Sequence, residues 1–228
     1  MATQSPLSLV HMDKLVQDAC DLLATRTAKD APEDLAIPPE MFAKARGVAF
    51  LWQYQASAGV AVAGGQGILI SKKPGSEAWG FPIALGLGGA GIGLQIGVHK
   101  EYVVVMLMTD AAVKTMANDN IRYAVDVTVA AGPHGHSNEA VRHAAYDGNV
   151  QIFAYSHSEG YHIGAGLKGQ FVSSCDNDNA AYYGLLPLDA GGPSAVDYVH
   201  GHALDGKQPS EPVKLLQQRL EAAGVPRV

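Results

Sequence analysis

The stretch that decides the fold is Leu85-Gly86-Leu87-Gly88-Gly89-Ala90-Gly91-Ile92-Gly93-Leu94-Gln95-Ile96-Gly97-Val98. Gly86, Gly88 and Gly91 have the spacing GxGxxG, which cradles a dinucleotide pyrophosphate when a helix follows it. Here the following residues alternate between apolar side chains and mostly glycine, and this period of two is typical of a strand. A helix would also lose about 1 kcal/mol of stability at each interior glycine. The stretch therefore predicts a strand with one nearly bare face, on which other groups pack closely.

Composition limits the class of protein. The 228 residues are 47% hydrophobic and 17% charged, which supplies a core and argues against disorder. A net charge of -6 argues against a nucleic-acid partner, because nucleic-acid binders normally carry a basic excess. Cys20 and Cys175 are far apart and are expected to be reduced thiols, with one disulfide as the alternative. With no recognisable secretory signal, we expect a cytoplasmic chain.

An amphipathic helix is predicted near the N-terminus. Ser5-Pro6 offers a helix start, and apolar residues recur at helical spacing from Met12 to Leu23. Its polar face carries Asp13, Asp18 and Asp21, whereas a helix that lies on a membrane is usually basic. We therefore expect this helix to pack on a sheet, with lipid insertion as the alternative.

Short strands punctuated by glycine are predicted through the middle of the chain. They are Val48–Trp52, Val60–Val62, Gln66–Lys72, Trp79–Ala84, Tyr102–Met108, Tyr123–Ala131, Val150–Ser156 and Tyr161–Gly169. A turn at Glu159-Gly160 is expected between the last two. Helices are predicted after Thr109-Asp110, near 179–183 and from Ser210 to Ala223.

The predicted fold class is α+β and mainly β. It is a glycine-rich antiparallel sheet system, sandwich-like or barrel-like, with an N-terminal amphipathic helix and a C-terminal helix. The expected division is residues 1–36 for the first helix and its linker, 37–190 for the main domain, and 191–228 for a C-terminal loop and helix packed on the same domain.

A series of short motifs in collinear order resembles the SYLF domain, also called the Ysc84 actin-binding domain. The resemblance covers roughly Ile37 to Leu186, and it rests on joint order and spacing, not on any single motif. The motifs are Ile37-Pro38-Pro39, Ala45-Arg46-Gly47-Val48-Ala49, Gly65-Gln66-Gly67-Ile68-Leu69, Trp79 to Pro82, Gly93-Leu94-Gln95-Ile96-Gly97, Ala131-Gly132-Pro133, Tyr155-Ser156 with Gly160, Gly164-Ala165-Gly166 and Tyr183-Gly184.

The resemblance implies a lipid-binding module. Members of this family bind phosphoinositides, fungal members also bind actin filaments, and a helix ahead of the domain assists membrane binding. The chain departs from the family pattern at Gly80, at His99-Lys100 and at His136, where serine, an acidic residue and arginine are common. If His136 replaces a phosphate-binding arginine, with His134 and His143 nearby, vesicle binding should strengthen from about pH 7.5 to about pH 5.5, and equal binding at both would contradict this.

Six residues are candidates for contact with an anionic lipid surface. Each basic residue near such a surface contributes about 1 kcal/mol, so several that converge would offset the overall negative charge. The same cations would also suit the acidic surface of actin. The candidates are Lys72, Lys73, Lys100, His136, Arg142 and Lys168.

Metal and catalytic sites are the alternatives to a binding module. His134-x-His136 and His200-x-His202, with His157 and His162, have spacings that occur in metal sites, but no HExxH motif accompanies them. The run 176–179 resembles the start of a calcium loop, yet its sixth and twelfth positions are Ala181 and Pro187 where glycine and glutamate are required. Ser173-Ser174-Cys175 offers nucleophiles without an assigned base.

These observations together predict a non-enzymatic module without a cofactor or metal. Its expected partner is a phosphoinositide or other anionic lipid membrane, at which it acts peripherally in the cytoplasm. The alternatives are an actin-filament-binding protein and, in third place, a histidine-ligated metalloprotein or hydrolase.

Overall fold

The glycine-rich stretch at 85–98 lies inside one 25-residue strand, Ile83–Leu107. No helix follows the GxGxxG spacing, so the strand interpretation is confirmed and the dinucleotide interpretation is wrong. The apolar face and the glycine face of this strand arise from its two-residue period.

The structure is a computed structural model that describes residues 11–31, 36–118, 121–124, 142–143 and 151–225. Within these residues the strands are β1 Gly47–Ser71, β2 Ile83–Leu107, β3 Ile121–Ala124, β4 Arg142–His143 and β5 Ile152–Ser174. The α-helices are α1 Met12–Arg26, α2 Pro39–Lys44, α3 Asp110–Asn118, α4 Asp176–Tyr183, α5 Ala195–Val199 and α6 Glu211–Ala223. The strands form an antiparallel sheet in the order β1-β2-β5-β3, with β4 also paired to β5. The predicted class, α+β and mainly β, is confirmed.

The strands are longer and more continuous than the sequence predicts. Three predicted segments merge into β1, which pairs with β2 along its length and takes up one irregularity between Ala58 and Val60. The predicted start of the strand Trp79–Ala84 is wrong, because β2 begins at Ile83. Trp79 forms only an isolated bridge with Lys72. β3 covers the start of the Tyr123–Ala131 segment, and the rest of that segment lies outside the described residues.

The turn expected at Glu159-Gly160 is also wrong. Both residues lie within β5, where Glu159 pairs with Lys100 and Gly160 pairs with His99. The physical reason is the partner strand: β2 offers an uninterrupted row of backbone groups, and a turn in β5 would leave several of them without their ladder bonds.

β1 bends back on itself at positions where glycine removes the side chain. A Cβ built on Gly65 would lie 2.1 Å from the Trp52 carbonyl oxygen, and one on Gly67 would lie 2.4 Å from the Phe50 carbonyl oxygen. The two halves of the strand therefore touch through their backbones. Close packing on the bare face predicted for 85–98 is described at Gly88, where a built Cβ would lie 2.4 Å from the Phe171 ring.

Helices cover both faces of one end of the sheet, which we call the base. On one face, α1, α2 and α6 pack against the strands through residues that include Leu15, Phe42 and Leu216. On the other face, α3, α5 and Tyr183 of α4 pack against them through residues that include Val113 and Tyr198. α1 thus packs on the sheet, as predicted.

The helix boundaries follow local capping. The Thr109 hydroxyl oxygen accepts a hydrogen bond from the Ala112 amide at the start of α3 (3.1 Å), and α6 ends at Gly224, as predicted. α4 begins at Asp176, earlier than the sequence predicts, so the calcium-like run is the first turn of this helix. The Ser5-Pro6 start lies outside the described residues. None of the described helices is long and apolar enough to cross a bilayer.

Candidate binding surface

Lys72, the first predicted lipid contact, is held inside the base. Its Nζ donates to the Ala43 carbonyl oxygen (3.0 Å) and to Glu77 Oε2 (2.6 Å), and it lies 5.6 Å from the centre of the Trp79 ring. Only 6% of the residue is exposed. The hydrogen bond from Lys72 is the largest of the effects that hold the pKa of Glu77 below its usual value. The structure therefore does not place Lys72 where a membrane can reach it.

Lys73 belongs to the same part of the base. Its backbone amide donates to the Ala78 carbonyl oxygen (3.0 Å), and its side chain passes close to Gly201, where a built Cβ would lie 3.1 Å from Lys73 Cε. Arg46 also contributes, donating to the Lys73 carbonyl oxygen (3.1 Å) and to Asp110 (2.9 Å). The basic residues at this end of β1 thus organise a loop against the helices.

Lys100 lies in a different environment, on the strands beyond the base. Its Nζ is 4.6 Å from the centre of the Tyr102 ring and 5.4 Å from the centre of the Tyr54 ring. A hydrogen bond with the Tyr102 hydroxyl is the main effect that raises the pKa of Lys100, and Tyr54 acts in the same direction. Two aromatic rings thus hold a fully charged, half-buried ammonium group in one position.

The other predicted contacts are only partly described. Arg142 pairs with Ala154 in the sheet and Lys168 pairs with Gly91, but only their backbones are described. His136 lies outside the described residues. Lys100 thus has different neighbours from Lys72 and Lys73, and the role of the six residues as lipid contacts stays a prediction.

A groove of about 610 Å³ runs between α1 and the strands that carry Lys100. Trp52 forms part of its wall on β1, and Asp18 and Asp21 line it from α1. The Gln66 side-chain oxygen is buried there and has no hydrogen-bond partner among the described residues. The groove thus offers aromatic walls, charges of both signs and an open acceptor, which suit a ligand with both apolar and polar parts.

An apolar surface that the sequence reasoning missed lies beyond the base. We call residues 54–64 of β1 and 86–100 of β2 the ribbon. Large apolar side chains on one face of the ribbon are between 61% and 73% exposed: Val60, Val62, Ile96 and Val98. The signal was available, because the sequence from Gly47 to Ser71 contains no charged residue.

Polar side chains are buried where the ribbon joins the base, on the face opposite Tyr54 and Ala56. Gln53, Gln55, Ser57 and His99 are all less than a tenth exposed. The Gln55 amide donates to the Ser57 hydroxyl oxygen (2.9 Å), and Gln53 Nε2 has no hydrogen-bond partner among the described residues. This part of the sheet therefore reverses the usual polarity of a strand, with polar residues inside and apolar residues outside.

The residues proposed for metal or catalytic sites have structural surroundings where they are described. The His200 and His202 rings are 6.0 Å apart, and the described residues hold no group of three or more His, Cys, Asp or Glu that could bind a metal ion. The side chains of His157 and His162 are not described, and His134 lies outside the described residues. Burial raises the pKa of Cys175 to about 11, so its thiol is protonated at neutral pH, and Ser174 accepts a hydrogen bond from Asn179 (3.2 Å). Both cysteines are free thiols.

Comparison with known proteins agrees with the motif resemblance. Residues 88–190 match the model of the family described as "Ysc84: Las17-binding protein actin regulator". This segment begins in the ribbon and ends after α4, so it includes the long β2–β5 ladder. No solved structure matches the chain significantly.

Named relatives match a longer stretch of the chain than the family model does. The SH3 domain-containing YSC84-like protein 1 of Xenopus laevis is 32% identical over 161 residues, which are 70% of this chain and 47% of the relative. The protein of the same name from Homo sapiens is 32% identical over 69% of this chain and 45% of its own length. The LAS seventeen-binding protein 3 of Saccharomyces cerevisiae is 32% identical over 66% of this chain and 33% of its own length. The matched region thus spans less than half of each of these relatives, and the chain carries a domain of the Ysc84 family.

Proposed function

We propose that this chain is a non-enzymatic binding module in actin regulation and that the actin filament is its protein partner. The observation that supports this most is the match of residues 88–190 to a family described as an actin regulator. Relatives whose names refer to YSC84 and LAS seventeen match across about two thirds of the chain. The proposal reverses the order given by the sequence, where lipid came first and actin second.

The fold supports a contact made by the ribbon. Among the described residues, helices occupy both faces of the base, so the described sheet surface available to a large partner lies beyond them. Lys100 presents a charge there that suits an acidic filament surface, and its two tyrosines restrict its movement, which lowers the entropy lost on binding.

Cosedimentation with actin filaments tests this proposal. The wild-type chain should pellet with filaments in a saturable way, and Lys100→Glu should weaken that binding by about tenfold, as the loss of a favourable charge contact predicts. Lys114→Glu is the matched control, because Lys114 is an exposed lysine on α3 in the base. A wild-type chain that stays in the supernatant at high filament concentration would refute the actin proposal.

An anionic lipid surface is the second candidate, and the charged ammonium of Lys100 beside the exposed ribbon favours it. The module would then act at the cytoplasmic side of membranes, with phosphoinositides as the preferred lipids. Liposome pelleting run in parallel with the filament assay separates the two candidates. Binding that increases with the phosphoinositide content of the vesicles would support lipid, and equal recovery with and without vesicles would exclude it.

A further inference from the structure

The outer face of the ribbon exposes apolar side chains on both of its strands. The exposed positions are Ala56, Ala58, Val60, Val62, Ile96 and Val98, which we call the apolar ribbon face. Pairing joins the two strands across it, because Ala56 lies opposite Val98 and Ala58 lies opposite Ile96. β-Branched side chains this exposed, on adjacent strands, indicate a surface that is covered when the protein works.

Two features favour acyl chains over a protein as the cover. The side chains of the apolar ribbon face have no hydrogen-bonding groups, whereas protein interfaces normally form about one hydrogen bond per 100–200 Å². Behind Ala56 and Ala58 the strand buries the polar side chains of Gln55 and Ser57. Apolar residues outside with polar residues inside is the arrangement of strands that contact lipid, because the medium outside them is hydrocarbon.

The edge of the apolar ribbon face carries groups that suit the boundary between hydrocarbon and water. Tyr54 lies opposite Lys100 in the sheet, and the ammonium group sits over the tyrosine ring. Tyrosine prefers the level of the lipid headgroups, and lysine is attracted to anionic headgroups. From Ile83 to Val98 the sequence contains no charged residue that would oppose immersion.

We propose that the apolar ribbon face penetrates the acyl-chain layer of a lipid bilayer, with Tyr54 and Lys100 at the level of the headgroups. This inference rests on the lipid candidate above and adds that apolar contact, as well as charge, drives the binding. Lys100 then selects anionic membranes, while Val60, Val62, Ile96 and Val98 supply the part of the affinity that salt does not screen.

Insertion into lipid monolayers and partition into vesicles test the proposal. The variant Val60→Ser/Val62→Ser/Ile96→Ser/Val98→Ser removes the large apolar side chains from positions that are already exposed. The control is Leu186→Ser/Leu188→Ser, which removes two exposed leucines far from the ribbon in sequence. Thermal unfolding of each variant establishes that it is folded before binding is compared.

The wild-type chain should raise the surface pressure of a zwitterionic phosphatidylcholine monolayer and should stay bound to anionic vesicles at about 0.5 M salt, where charge contacts are largely screened. The ribbon variant should lose at least about tenfold in partition, because each immersed apolar side chain contributes a favourable transfer term. The leucine control should partition like the wild type. Lys100→Gln should lose the preference for anionic vesicles.

The contrary results separate this inference from the lipid candidate. If salt abolishes the binding of the wild-type chain to anionic vesicles and the chain does not insert into the monolayer, the inference is overturned and the lipid candidate still stands. A ribbon variant that inserts as well as the wild type would also overturn it. If the wild-type chain binds neither the anionic vesicles nor the zwitterionic monolayer, both this inference and the lipid candidate are overturned.

Discussion

The backbone amide of Lys72 donates a hydrogen bond to the carbonyl oxygen of Arg46, at 2.8 Å. These two residues flank β1, which has 25 residues and would be about 80 Å long if it were straight. The strand therefore coils until its ends meet, and the ribbon is the part that turns back. Gly65 and Gly67 permit the coil because they bring the two halves of β1 into backbone contact.

Gly65→Ala should disrupt this contact. The added Cβ would lie 2.1 Å from the Trp52 carbonyl oxygen, and a backbone atom cannot move aside cheaply. We expect a loss of about 3 kcal/mol in the free energy of unfolding, the upper part of the range for overpacking. Chemical denaturation measures it.

Gly64→Ala is the matched control for this prediction. A Cβ at Gly64 has no heavy atom within 4 Å among the described residues, so the change should be neutral or slightly stabilising. Equal stability of the two variants would show that the halves of β1 are not in contact.

Asn179→Ala should destabilise the junction between α4 and β2. The Asn179 side chain accepts from the Ala84 amide (2.7 Å) and donates to the Ala84 carbonyl oxygen (3.2 Å), so it completes the backbone pairing at the start of β2. Removing it leaves the Ala84 amide unsatisfied, whereas the Ala84 carbonyl oxygen keeps its bond from the Cys175 amide (3.0 Å), so the change should cost about 1–3 kcal/mol. Asn177→Ala, at an exposed position of the same helix, should change the unfolding temperature little, and equal losses would count against this role.

Lys72→Met should raise the pKa of Glu77. Lys72 donates to this carboxylate and depresses its pKa, so the pair stabilises the fold above the ordinary glutamate pKa and loses that contribution as the pH falls. NMR titration of Glu77 should show the shift, whereas Lys214→Met should leave Glu77 unchanged. The lost bond to Ala43 should also reduce stability by about 1–3 kcal/mol. An unshifted Glu77 would contradict the pairing.

His200 should make the fold weaker in mild acid. Burial, reinforced by Lys114 and His202, lowers its pKa, while Asp110 and Asp197 oppose the shift. The unfolded chain therefore binds a proton at a higher pH than the folded chain, and stability falls as the pH drops below about 6.5. Urea denaturation at several pH values measures the free energy of unfolding across this range. That free energy should depend less steeply on pH for His200→Asn than for the wild type. The control is His202→Asn, at an exposed position. If the pH dependence of the free energy of unfolding were the same in His200→Asn as in the wild type, the role of burial would be contradicted.

The local sequence pattern predicts well whether a segment is a strand or a helix, and it predicts poorly how long each strand is. The period of two from Gly91 to Val98 identified a strand because side-chain direction alternates in any strand. Nothing local distinguishes a glycine that ends a strand from one that lets it coil, so β1 was predicted as three pieces and β5 as two. Strand length here depends on pairing with β2, which is a long-range property.

The candidate surface was predicted in part. Lys100 was identified from its charge, but Lys72 has the same charge and lies buried beside Glu77, a contact that depends on how the base folds. The apolar ribbon face was missed because Val60 and Val98 look like ordinary core residues in sequence. Which face of a strand meets solvent is decided by the helices, and the described helices pack mainly on the base, with α1 also facing Lys100 across the groove. The domain boundaries after residues 36 and 190 stay predictions.

Hydrogen exchange of the full chain, with and without anionic vesicles or actin filaments, tests most directly whether the ribbon is the binding surface. The account predicts slower exchange on binding at residues 54–64 and 86–100, with the helices of the base unchanged. The account would be contradicted if exchange slowed only in α3, α5 or α6. It would also be contradicted if exchange in the ribbon did not slow when vesicles or filaments are bound.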